Sequence, residues 1–357
     1  MTPATPPIRL AIIGCGVIAG PYAQDIQGFK SLKLHGCFDV DTDKARRYAE
    51  THGCRAYASL EEALGDPDVD VVVNLTVLPA HYSVNKQALE AGKHVYSEKP
   101  LAATAGQAQE LVALARERGV RLSGAPATWL GHAQQRALRE LQAGSIGPVR
   151  VIYAEANHGR IERWHPVPHS FYQVGPLRDV GVYPLGVITS IFGPARQVWA
   201  YATILKPQRV TKRGEPFTVS APDWYAVMIE LESGPLVRLT ASFYVSDKGA
   251  QPEGIEFHGD DGQLLLGDWF QPGGGVRRAE FGETYQDLPD FTPSGAAFSW
   301  AAGLDDLGRA IREDRPHRLS GEQATHIVEI LEAAHQSIAS GQPVEIHSRF
   351  VPAAPVE

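Results

Sequence analysis

The sequence predicts an α/β protein with a doubly wound parallel sheet at its amino end, followed by a C-terminal α+β domain with a large, mostly antiparallel, open sheet. Strand and helix patterns alternate over the first ~125 residues, as they do in repeated β-α-β units. The pattern then changes to long alternating runs that are typical of antiparallel strands with one covered face. A length of 357 residues fits two domains, for which we expect residues 1–128 and 129–357.

In the N-terminal domain, short apolar runs predict the strands and capping residues mark the helices. The run 69–77 is almost continuously apolar, as expected of a parallel strand covered on both faces. The segment Asp41-Thr42-Asp43 offers a helix N-cap, Ser59 begins a capping box with Glu62, and Gly92 stands where a helix should end. Strands are expected at 8–13, 32–38, 69–77, 95–97 and 120–123, and helices at 17–26, from Asp41 to 50, after Ser59, at 80–91 and at 105–117.

In the C-terminal domain, period-two alternation predicts most of the strands. They are expected at 149–156, 195–205, 224–231, 236–244, 255–258 and 264–266. Helices are expected at 133–143, 179–192, 296–312 and 321–339, while the patches at 271–275 and 353–356 are rich in Pro, Gly or Ala and indicate a loop and a tail.

Composition and charge exclude several classes of protein. Hydrophobic residues make up 43% and charged residues 21% of the chain, which is ordinary globular composition. The net charge of -8, with no run of five basic residues, argues against nucleic acid as a partner. The three cysteines show no Cys-x-x-Cys spacing, and the first ten residues resemble neither a signal peptide nor a membrane span. We therefore expect a cytoplasmic protein.

A glycine motif, Gly14-x-Gly16-x-x-Ala19, follows the first strand and opens the first helix. Gly14 allows a tight turn, Gly16 lets a pyrophosphate approach the backbone, and Ala19 is small enough for close packing of helix on strand. The free N–H groups and the positive dipole of the helix N-terminus favour phosphate. The alternative is a plain turn between a strand and a helix, but the strand–turn–helix context favours a dinucleotide-binding Rossmann domain.

Asp39 ends the second strand and lies 23 residues after Gly16. A carboxylate at this position accepts hydrogen bonds from both hydroxyls of an adenosine ribose and repels a 2′-phosphate. The nearest arginines, Arg46 and Arg47, lie inside the next expected helix. We therefore expect NAD rather than NADP as the cofactor. The alternative is a solvated turn aspartate or a helix cap.

Two further segments carry side chains suited to proton transfer. Glu98-Lys99-Pro100 follows the strand at 95–97, at the edge of the sheet where ligands of open α/β sheets bind. A solvated lysine at a strand end is the alternative. Asp179-x-x-x-Tyr183 has a spacing of four, which places both side chains on one face of a helix. Here the alternative is an N-cap aspartate followed by a core tyrosine.

Together these residues resemble the Gfo/Idh/MocA family, named after glucose–fructose oxidoreductase and inositol dehydrogenase. The order and spacing are similar over nearly the whole chain. The matching blocks are Gly14-Cys15-Gly16-Val17-Ile18-Ala19, Asp39, residues 91–100 (AGKHVYSEKP) and residues 175–183 (GPLRDVGVY). The resemblance implies an NAD(P)-dependent dehydrogenase of sugars, polyols or related alcohols. It also implies a second domain whose open sheet often forms the oligomer interface.

Carried over residue by residue, the resemblance implies that Lys99 and Tyr183 are the catalytic pair and that Asp179 orients the substrate or the lysine. Many members have histidine where this chain has Tyr183, which is similar to the glucose–fructose oxidoreductase and dihydrodiol dehydrogenase branch. A free tyrosine has a pKa near ~10, and an adjacent ammonium favours the phenolate, which takes the hydroxyl proton as hydride leaves for nicotinamide C4. The cofactor contacts implied are Gly14, Gly16, Val17, Ile18, Asp39, Thr76, Leu78, His81, Glu98 and Lys99.

The stretch 157–175 shows little periodicity, and its content of Trp, Tyr, His and Arg argues against disorder. Because it leads directly into Asp179, we expect it to line the substrate pocket; the alternative is a loop packed on the sheet or at a subunit interface. Its three histidines, one of them His169, have no acidic or cysteine partner at a familiar ligand spacing, so we expect no metal site. The candidate substrate contacts are His158, Arg160, Trp164, His165, Tyr172 and Trp129, the last with a core position as its alternative.

These observations predict an NAD-dependent oxidoreductase that acts on a secondary alcohol of a carbohydrate-like substrate. We expect a homo-oligomer, as a dimer or tetramer, with neither nucleic acid nor membrane as a partner. One alternative is a sensor or regulatory protein that binds NAD without turnover, although a sensor need not keep Lys99, Asp179 and Tyr183. A second is a redox-neutral, glycoside-cleaving enzyme that oxidises and re-reduces its substrate with tightly held NAD.

Overall fold

The computed structural model describes residues 6–249, 253–270, 275–288 and 299–356. It separates into two compact units, of which the first comprises Met1–Ala127 with Ser299–Val328 and the second Thr128–Phe298 with Glu329–Glu357. The first is built on a six-stranded parallel sheet and the second on a nine-stranded, mostly antiparallel sheet. The predicted fold class is therefore confirmed.

The strands and helices follow the expected order along the chain. The strands are β1 (Ile8–Ile13), β2 (Leu32–Phe38), β3 (Arg55–Ala56), β4 (Val71–Asn74), β5 (His94–Ser97), β6 (Leu122–Gly124), β7 (Val149–Asn157), β8 (Ala195–Thr203), β9 (Gln208–Val210), β10 (Pro216–Thr218), β11 (Trp224–Leu231), β12 (Leu236–Ser242), β13 (Ile255–Gly259), β14 (Gly262–Leu266), β15 (Val276–Glu280), β16 (Gln286–Asp287) and β17 (Val344–Glu345). The helices are α1 (Ala19–Ile26), α2 (Thr42–His52), α3 (Leu60–Gly65), α4 (Leu78–Glu90), α5 (Ala105–Arg118), α6 (His132–Gln142), α7 (His169–Val174), α8 (Pro176–Asp179), α9 (Val182–Phe192), α10 (Ala302–Glu313) and α11 (Gly321–Ser340).

The six strands of the first unit are all parallel and lie in the order β3-β2-β1-β4-β5-β6, which is that of a Rossmann domain. Ile13 pairs with Phe38 on one side and with Asn74 on the other, and Asn74 pairs with Ser97. Four strands thus end at the same level. The loops that follow them lie along one edge of the sheet, where the sequence motifs predict a ligand.

Local capping residues fix the helix ends of this unit. The Asp41 carboxylate accepts the N–H groups of Asp43 and Lys44 at the start of α2, and Ser59 accepts the N–H of Glu62 at the start of α3. The expected strand 69–77 is shorter, ending at Asn74, because the chain turns there and begins α4 at Leu78. The helix expected from residue 17 begins at Ala19.

Residues 299–328 return to the first unit, which the single boundary expected between residues 128 and 129 did not anticipate. A Cβ atom on Gly308 of α10 would lie 3.3 Å from the side chains of both Ile8 and Leu32. The Arg121 guanidinium also donates a hydrogen bond, at 2.6 Å, to the carbonyl oxygen of Arg315, which follows α10. An amphipathic pattern shows which face of α10 is buried, but it does not show which sheet covers that face.

The main sheet of the second unit has the order β16-β15-β14-β13-β7-β12-β11-β8-β17. Its neighbours are antiparallel except β7 and β12, which run parallel. Burial alternates along the strands, so that Tyr225 and Val227 of β11 are buried while Met228 is exposed. On the covered face the ring of Tyr225 contacts His335 of α11. The other face carries exposed aromatic residues.

The predicted helix 179–192 is interrupted. Its first residue, Asp179, ends the short helix α8, and α9 begins only at Val182. A Cβ atom on Gly181 would lie 2.6 Å from the carbonyl oxygen of Leu177, and the Gly181 N–H donates to Pro176. This close approach is a tertiary feature that a spacing of four residues does not reveal.

The stretch 157–175 also differs from the expectation, because it contains a 3₁₀ turn at Ile161–Arg163 and the helix α7. Residues 271–274 of the expected loop and 296–298 of the expected helix lie outside the described residues. Within the described part of the chain, no helix combines the length and apolar character that crossing a membrane requires.

Candidate active site

The loop after β1, residues 14–18, is here called the nucleotide loop. It lies in close contact with the end of β4. Gly14 has a φ of +96°, and a Cβ atom on it would lie 2.8 Å from the carbonyl of Leu75 and 2.9 Å from the nitrogen of Thr76. Its N–H donates to the Phe38 carbonyl at 2.8 Å. A side chain at this position would force the two segments apart, so glycine is required by the chain itself.

Gly16 has a different reason to be glycine. A Cβ atom on it would contact nothing within 4 Å, so the protein's own packing does not require its absence. The adjacent Val17 is 94% exposed, and the N-cap residue of α1, Ile18, makes no side-chain cap. The loop therefore offers open space beside the uncapped N–H groups of a helix, which suits a pyrophosphate.

Asp39 connects the nucleotide loop to the end of β2 through a hydrogen bond. One carboxylate oxygen accepts the Cys15 N–H at 2.8 Å and the other accepts the Asp41 N–H at 2.8 Å. Each carboxylate oxygen has a second lone pair, so both can still accept a ribose hydroxyl. Arg46, one of the two nearest arginines in the sequence, pairs with Asp43 instead. These hydrogen bonds hold the half-buried Asp39 carboxylate in one position, from which it is expected to accept the ribose hydroxyls.

A buried polar network lies under the ends of β4 and β5. The Asn74 side chain accepts the Thr76 hydroxyl at 2.6 Å and donates to Asn85 at 2.8 Å. Asn85 in turn donates to the Ser97 hydroxyl at 2.9 Å. Because Asn74, Asn85 and Ser97 are fully buried, these bonds hold the loops after both strands in a defined conformation.

His81 was expected to contact the cofactor, but in the structure its ring is buried between the loops that follow β4 and β5. Its ring is buried, with Nδ1 2.7 Å from the Pro100 carbonyl oxygen and Nε2 3.0 Å from that of Thr76. Both ring nitrogens are therefore engaged by the protein. Since α4 starts at Leu78, residue 81 falls on the inner side of its first turn, and His81 joins the two loops instead of facing a ligand.

Glu98 and Lys99 lie directly after β5. The Glu98 carboxylate accepts the Tyr22 hydroxyl at 2.8 Å and the Lys99 N–H at 3.0 Å. Burial, together with the Glu98 carboxylate, raises the pKa of Tyr22 well above its usual value, so Tyr22 remains a donor. Glu98 therefore fixes the backbone from which the Lys99 side chain projects.

In the second unit, the Tyr183 ring stacks on Trp269, with centroids 5.0 Å apart and planes 11° from parallel. Phe270 meets the same ring edge-on at 5.4 Å, and the Trp269 indole donates to the Glu155 carbonyl at 2.8 Å. Sequence reasoning missed Trp269 and Phe270. In the sequence these two residues appear only as an aromatic pair after β14, and no periodicity there indicates a functional position.

Asp179 and Tyr183 were expected on one helical face, and this was wrong, because they lie on the successive helices α8 and α9. Asp179 is half-buried at the end of α8, and Tyr183 lies in the first turn of the buried α9. The two residues thus depend on the break at Gly181 for their relative placement.

Three of the predicted substrate contacts form an aromatic cluster in the second unit, and a fourth, Arg160, lies over a different ring. Trp164 is 43% exposed and meets His158 and His165 edge-on, each at 5.5 Å. His158 Nδ1 lies 2.8 Å from the Glu253 carboxylate. The Arg160 guanidinium lies over the Tyr244 ring at 4.5 Å. The cluster combines an accessible indole with polar donors.

Tyr172 and Trp129, in contrast, are buried. Tyr172 donates to Glu162, and its hydroxyl also accepts from Arg209 at 2.7 Å. Arg209 is fully buried and binds Glu162 and Asp223, so Tyr172 belongs to a closed ionic network and does not face a substrate. Trp129 is 2% exposed, which supports its alternative core position, and its indole N–H has no hydrogen-bond partner among the described residues.

One group in the described ranges has the composition of a metal site: His35, Asp66 and Asp68. Asp66 already accepts hydrogen bonds from the Tyr57 hydroxyl and the Arg55 guanidinium, and Asp68 pairs with Arg9. The Asp68 N–H and the Tyr57 hydroxyl, which both donate to Asp66, hold the pKa of its carboxyl at about 2. The carboxylates are thus compensated by the protein's own cations. We assign no metal to this group.

Two family descriptions match the chain. Residues 8–125 match the oxidoreductase family with an NAD-binding Rossmann fold, and residues 135–265 match the GFO/IDH/MocA C-terminal domain. The first of these ranges contains the nucleotide loop, Asp39 and Lys99, and the second contains Asp179 and Tyr183.

Curated relatives include a dTDP-3,4-didehydro-2,6-dideoxy-alpha-D-glucose 3-reductase from Streptomyces violaceoruber, which is 30% identical over 83% of this chain and 85% of its own length. A trans-1,2-dihydrobenzene-1,2-diol dehydrogenase from Oryctolagus cuniculus is 30% identical over 62% of this chain, and the match spans 65% of that enzyme. The enzyme of the same name from Bos taurus is 27% identical over 95% of this chain and 99% of its own.

Solved structures with the same fold include an NAD binding oxidoreductase from Klebsiella pneumoniae, with a TM-score of 0.85 and 24% identity over 96% of this chain and all of the other. Levoglucosan dehydrogenase in complex with NADH and L-sorbose has a TM-score of 0.83 and 18% identity, with 96% of this chain and all of the other covered.

Proposed function

The chain belongs to the Gfo/Idh/MocA oxidoreductase family, and from that premise we propose that it is an NAD-dependent dehydrogenase of a secondary alcohol in a sugar, polyol or glycoside. The observation that carries the proposal is the nucleotide loop, in which Gly14 is required by the chain and Gly16 faces open space at a helix N-terminus. The relatives named as a diol dehydrogenase and a sugar 3-reductase support chemistry at a C–OH group.

A dinucleotide suits the loops along the carboxyl edge of the parallel sheet. We assign its pyrophosphate to the N–H groups of the nucleotide loop and its adenosine ribose to Asp39. Bound there, NAD supplies a hydride acceptor at nicotinamide C4. The residues assigned to the cofactor are Gly14, Gly16, Val17, Ile18, Asp39, Thr76, Leu78, Glu98 and Lys99, with His81 holding the loops behind them.

The preference for NAD over NADP rests on Asp39. Its two oxygens are held by the N–H groups of Cys15 and Asp41, so the carboxylate cannot turn away from a ligand without losing both bonds. A 2′-phosphate would bring a second anion against this fixed charge. Ribose hydroxyls would instead donate to it. We therefore expect NAD to bind more tightly than NADP.

The proton step is assigned to the three residues that the family resemblance implies. Tyr183 receives the proton of the substrate hydroxyl, and the ammonium of Lys99 favours the ionised form of such a phenol. Asp179 orients the substrate or the lysine. The hydroxyl proton thus goes to the Tyr183 oxygen, while hydride passes from the same carbon to the cofactor. The stack of Tyr183 on Trp269 supports this assignment because it holds the phenol ring in one orientation.

The substrate class follows from the cluster around Trp164. A polyol presents hydroxyls for hydrogen bonding and flat C–H faces for an aromatic ring. His158 and His165 offer ring nitrogens beside the accessible indole, and Arg160, two residues after His158, offers a guanidinium that lies over the Tyr244 ring. A purely apolar substrate could make no hydrogen bonds to these polar groups.

Two other functions remain to be separated from this one. A non-catalytic NAD sensor would bind the cofactor and show no turnover with any alcohol. A redox-neutral, glycoside-cleaving enzyme would be purified with bound NAD and would release no NADH during turnover. Retention of Lys99, Asp179 and Tyr183 favours the dehydrogenase over the sensor.

We further propose a homo-oligomer that uses the exposed side of the second sheet. This open face consists of Tyr153, Trp199, Tyr201, Met228 and Leu236. Met228 pairs in register with Trp199 and Arg238, and Arg238 pairs with Tyr153, so the row spans four neighbouring strands. An exposed face with several large apolar side chains, crossed here by Arg238, is typical of an interaction site. A dimer or tetramer is expected by light scattering, and Met228→Glu should dissociate it.

A cytoplasmic location is also part of the proposal. The three cysteines are unpaired in the structure, as expected of a protein in a reducing compartment. Fractionation of cells that produce the protein tests this assignment.

Cofactor binding tests the proposal before any substrate is known. Titration of the purified protein with NADH should give saturable binding and an increase in thermal stability, since a ligand of the folded state stabilises it. Gly16→Val should abolish binding, because the new side chain would occupy the open space, and should preserve the fold. Failure of the wild type to bind either NADH or NADPH would contradict the proposed function.

A further inference from the structure

Tyr22 lies on α1, the helix that follows the nucleotide loop, and its hydroxyl reaches the loop after β5. The hydroxyl donates to one oxygen of the Glu98 carboxylate at 2.8 Å, while the other oxygen accepts the Lys99 N–H at 3.0 Å. Tyr22 is 1% exposed, whereas Glu98 is half-buried. A buried residue of the first helix thus sets the orientation of a partly exposed carboxylate at the carboxyl edge of the sheet.

Two aromatic residues pack against the Tyr22 ring. Tyr96 of β5 meets it edge-on with centroids 6.1 Å apart, and Trp300 lies tilted against it at 5.8 Å. The Trp300 N–H donates at 2.6 Å to the carboxylate of Asp25, which is on the same helix as Tyr22. Because the ring is packed in this way, its hydroxyl is a fixed donor, and the Glu98 carboxylate is the partner whose orientation depends on the bond.

The backbone of Glu98 is held independently of its side chain. Its N–H donates to the Asn74 carbonyl at 2.9 Å, and its carbonyl accepts the Ser97 hydroxyl at 3.1 Å. Neither bond involves the carboxylate. Loss of the Tyr22 hydroxyl would therefore leave the loop after β5 in place and release the Glu98 side chain, whose one remaining hydrogen bond within the described residues is that from the Lys99 N–H.

The order of the strands places Glu98 at the opposite end of the site from Asp39. Asp39 follows β2 and Glu98 follows β5, and β1 and β4 lie between these two strands in the sheet. A dinucleotide with its adenosine ribose at Asp39 and its pyrophosphate at the nucleotide loop therefore extends past the end of β4 toward Glu98. Its nicotinamide half carries ribose hydroxyls and a carboxamide NH₂, which are donors. An ionised carboxylate only accepts, and each oxygen of Glu98 has a lone pair to spare.

We propose that Tyr22 is a positioning residue whose hydroxyl holds the Glu98 carboxylate in the orientation that accepts hydrogen bonds from the nicotinamide half of the cofactor. The inference rests on the proposed function, since it takes the carboxyl edge of the parallel sheet as the NAD site. Because Tyr22 is buried, it acts through Glu98 and not by contact with the cofactor. Burial and the adjacent carboxylate raise the pKa of Tyr22 well above its usual value, so the hydroxyl stays a donor at neutral pH.

Comparison of NADH with ADP tests the proposal by calorimetry and needs no substrate. ADP carries the adenosine and the pyrophosphate but lacks the nicotinamide half. Tyr22→Phe keeps the packed ring, so it should bind ADP as the wild type does. It should bind NADH at least about tenfold more weakly than the wild type, which corresponds to about 1.4 kcal/mol.

Tyr48→Phe is the matched control for the loss of a buried hydroxyl. The Tyr48 hydroxyl donates at 2.8 Å to the carbonyl of Ala19, on the same helix as Tyr22, and does not bond to Glu98. Any change in affinity that this substitution causes should be the same for NADH and ADP. The control thus separates an effect on α1 as a whole from an effect on Glu98.

Variants of Glu98 test whether the effect of Tyr22 passes through the carboxylate. Glu98→Ala should weaken NADH binding relative to ADP to a similar extent, and the addition of Tyr22→Phe should cause no further loss. The amide oxygen of Glu98→Gln can still accept the Tyr22 hydroxyl. Glu98→Gln should therefore retain more NADH affinity than Glu98→Ala and should lose it when Tyr22→Phe is added.

The outcomes distinguish failure of the inference from failure of the proposed function. Equal loss of NADH and ADP affinity in Tyr22→Phe, unchanged affinity for both, or a further loss of NADH affinity when Tyr22→Phe is added to Glu98→Ala would overturn the positioning role. Each of these results would leave the proposed dehydrogenase intact. Absence of binding of both NADH and NADPH by the wild type would instead contradict the proposed function.

Discussion

Tyr183 lies flat against Trp269, with ring centroids 5.0 Å apart and an interplanar angle of 11°. Trp269 is itself fixed, because it is buried and its indole N–H donates to the Glu155 carbonyl at 2.8 Å. The phenol ring therefore has one supported orientation, although it lies at the start of a helix whose residues are otherwise packed in the core. This arrangement separates the role of the Tyr183 ring, which is packing, from the role of its hydroxyl, for which we propose proton transfer.

The substitution Tyr183→Phe exploits that separation. It keeps the stacked ring and removes the hydroxyl, so the melting temperature and NADH affinity should remain close to those of the wild type. Turnover should fall by ~10²–10⁴, the usual scale of general acid–base catalysis. Tyr225→Phe, in the same unit, serves as the matched control and should retain turnover. Near-normal kcat in Tyr183→Phe at saturating substrate would make Tyr183 a packing residue.

Asp39→Asn should reverse part of the cofactor preference. The amide keeps the shape of the side chain but loses the charge that repels a 2′-phosphate, so the ratio of the NADP and NAD dissociation constants should fall by roughly tenfold or more, or about 1.4 kcal/mol. Asp41→Asn is the control, because Asp41 caps α2 and should affect stability alone. Fluorescence titration with both reduced cofactors provides the measurement. Equal ratios in the wild type and Asp39→Asn would remove Asp39 from the cofactor site.

Trp164→Ala and His165→Ala test whether the cluster around Trp164 binds substrate. If it does, KM should rise or kcat/KM should fall for the true substrate, while NAD affinity stays the same. If these residues lie at a subunit interface, light scattering should show a smaller assembly instead. A changed assembly with intact kinetics in the remaining oligomer would move the substrate site elsewhere in the second unit.

His94 should make the folded state sensitive to mild acid. Its Nδ1 accepts the Arg121 N–H at 2.9 Å, and burial lowers the pKa of His94 below its usual value. The unfolded chain therefore binds the proton more readily, so this contribution to stability is complete above the unfolded pKa of ~6.5 and is lost as the pH falls toward the folded value.

The melting temperature should accordingly decrease from pH 7 to pH 5 by a smaller amount in His94→Gln than in the wild type. His317 and His335, whose pKa values are also lowered by burial, should contribute to the remaining decrease. Parallel pH profiles for wild type and His94→Gln would show that His94 does not titrate differentially.

Local chemistry predicted the features of this fold that depend on neighbouring residues. Asp41 and Ser59 cap their helices as expected, and Gly92 adopts the positive φ of a helix end, because such motifs involve only three or four residues. Gly14 was also predictable, since the turn after β1 is part of a motif. The sequence therefore predicts the residues assigned to the dinucleotide more readily than those assigned to the substrate.

Features that depend on distant contacts were less accessible. The break between Asp179 and Tyr183 arises where Gly181 approaches Leu177. Tyr172 is buried in contact with Arg209, which lies 37 residues later in the chain. Trp269 becomes relevant only when β14 brings it against Tyr183. None of these contacts leaves a periodic pattern, so they require the folded chain.

Formation of NADH is the measurement that tests the central claim most directly. The purified protein, freed of bound nucleotide and supplied with NAD, should be assayed across aldoses, polyols, uronates and glycosides. We predict that at least one of these produces NADH, that the rate with NADP is lower, and that Lys99→Ala and Tyr183→Phe lose the activity while still binding NADH. Tight NADH binding with no NADH produced from any of these alcohols would contradict the claim.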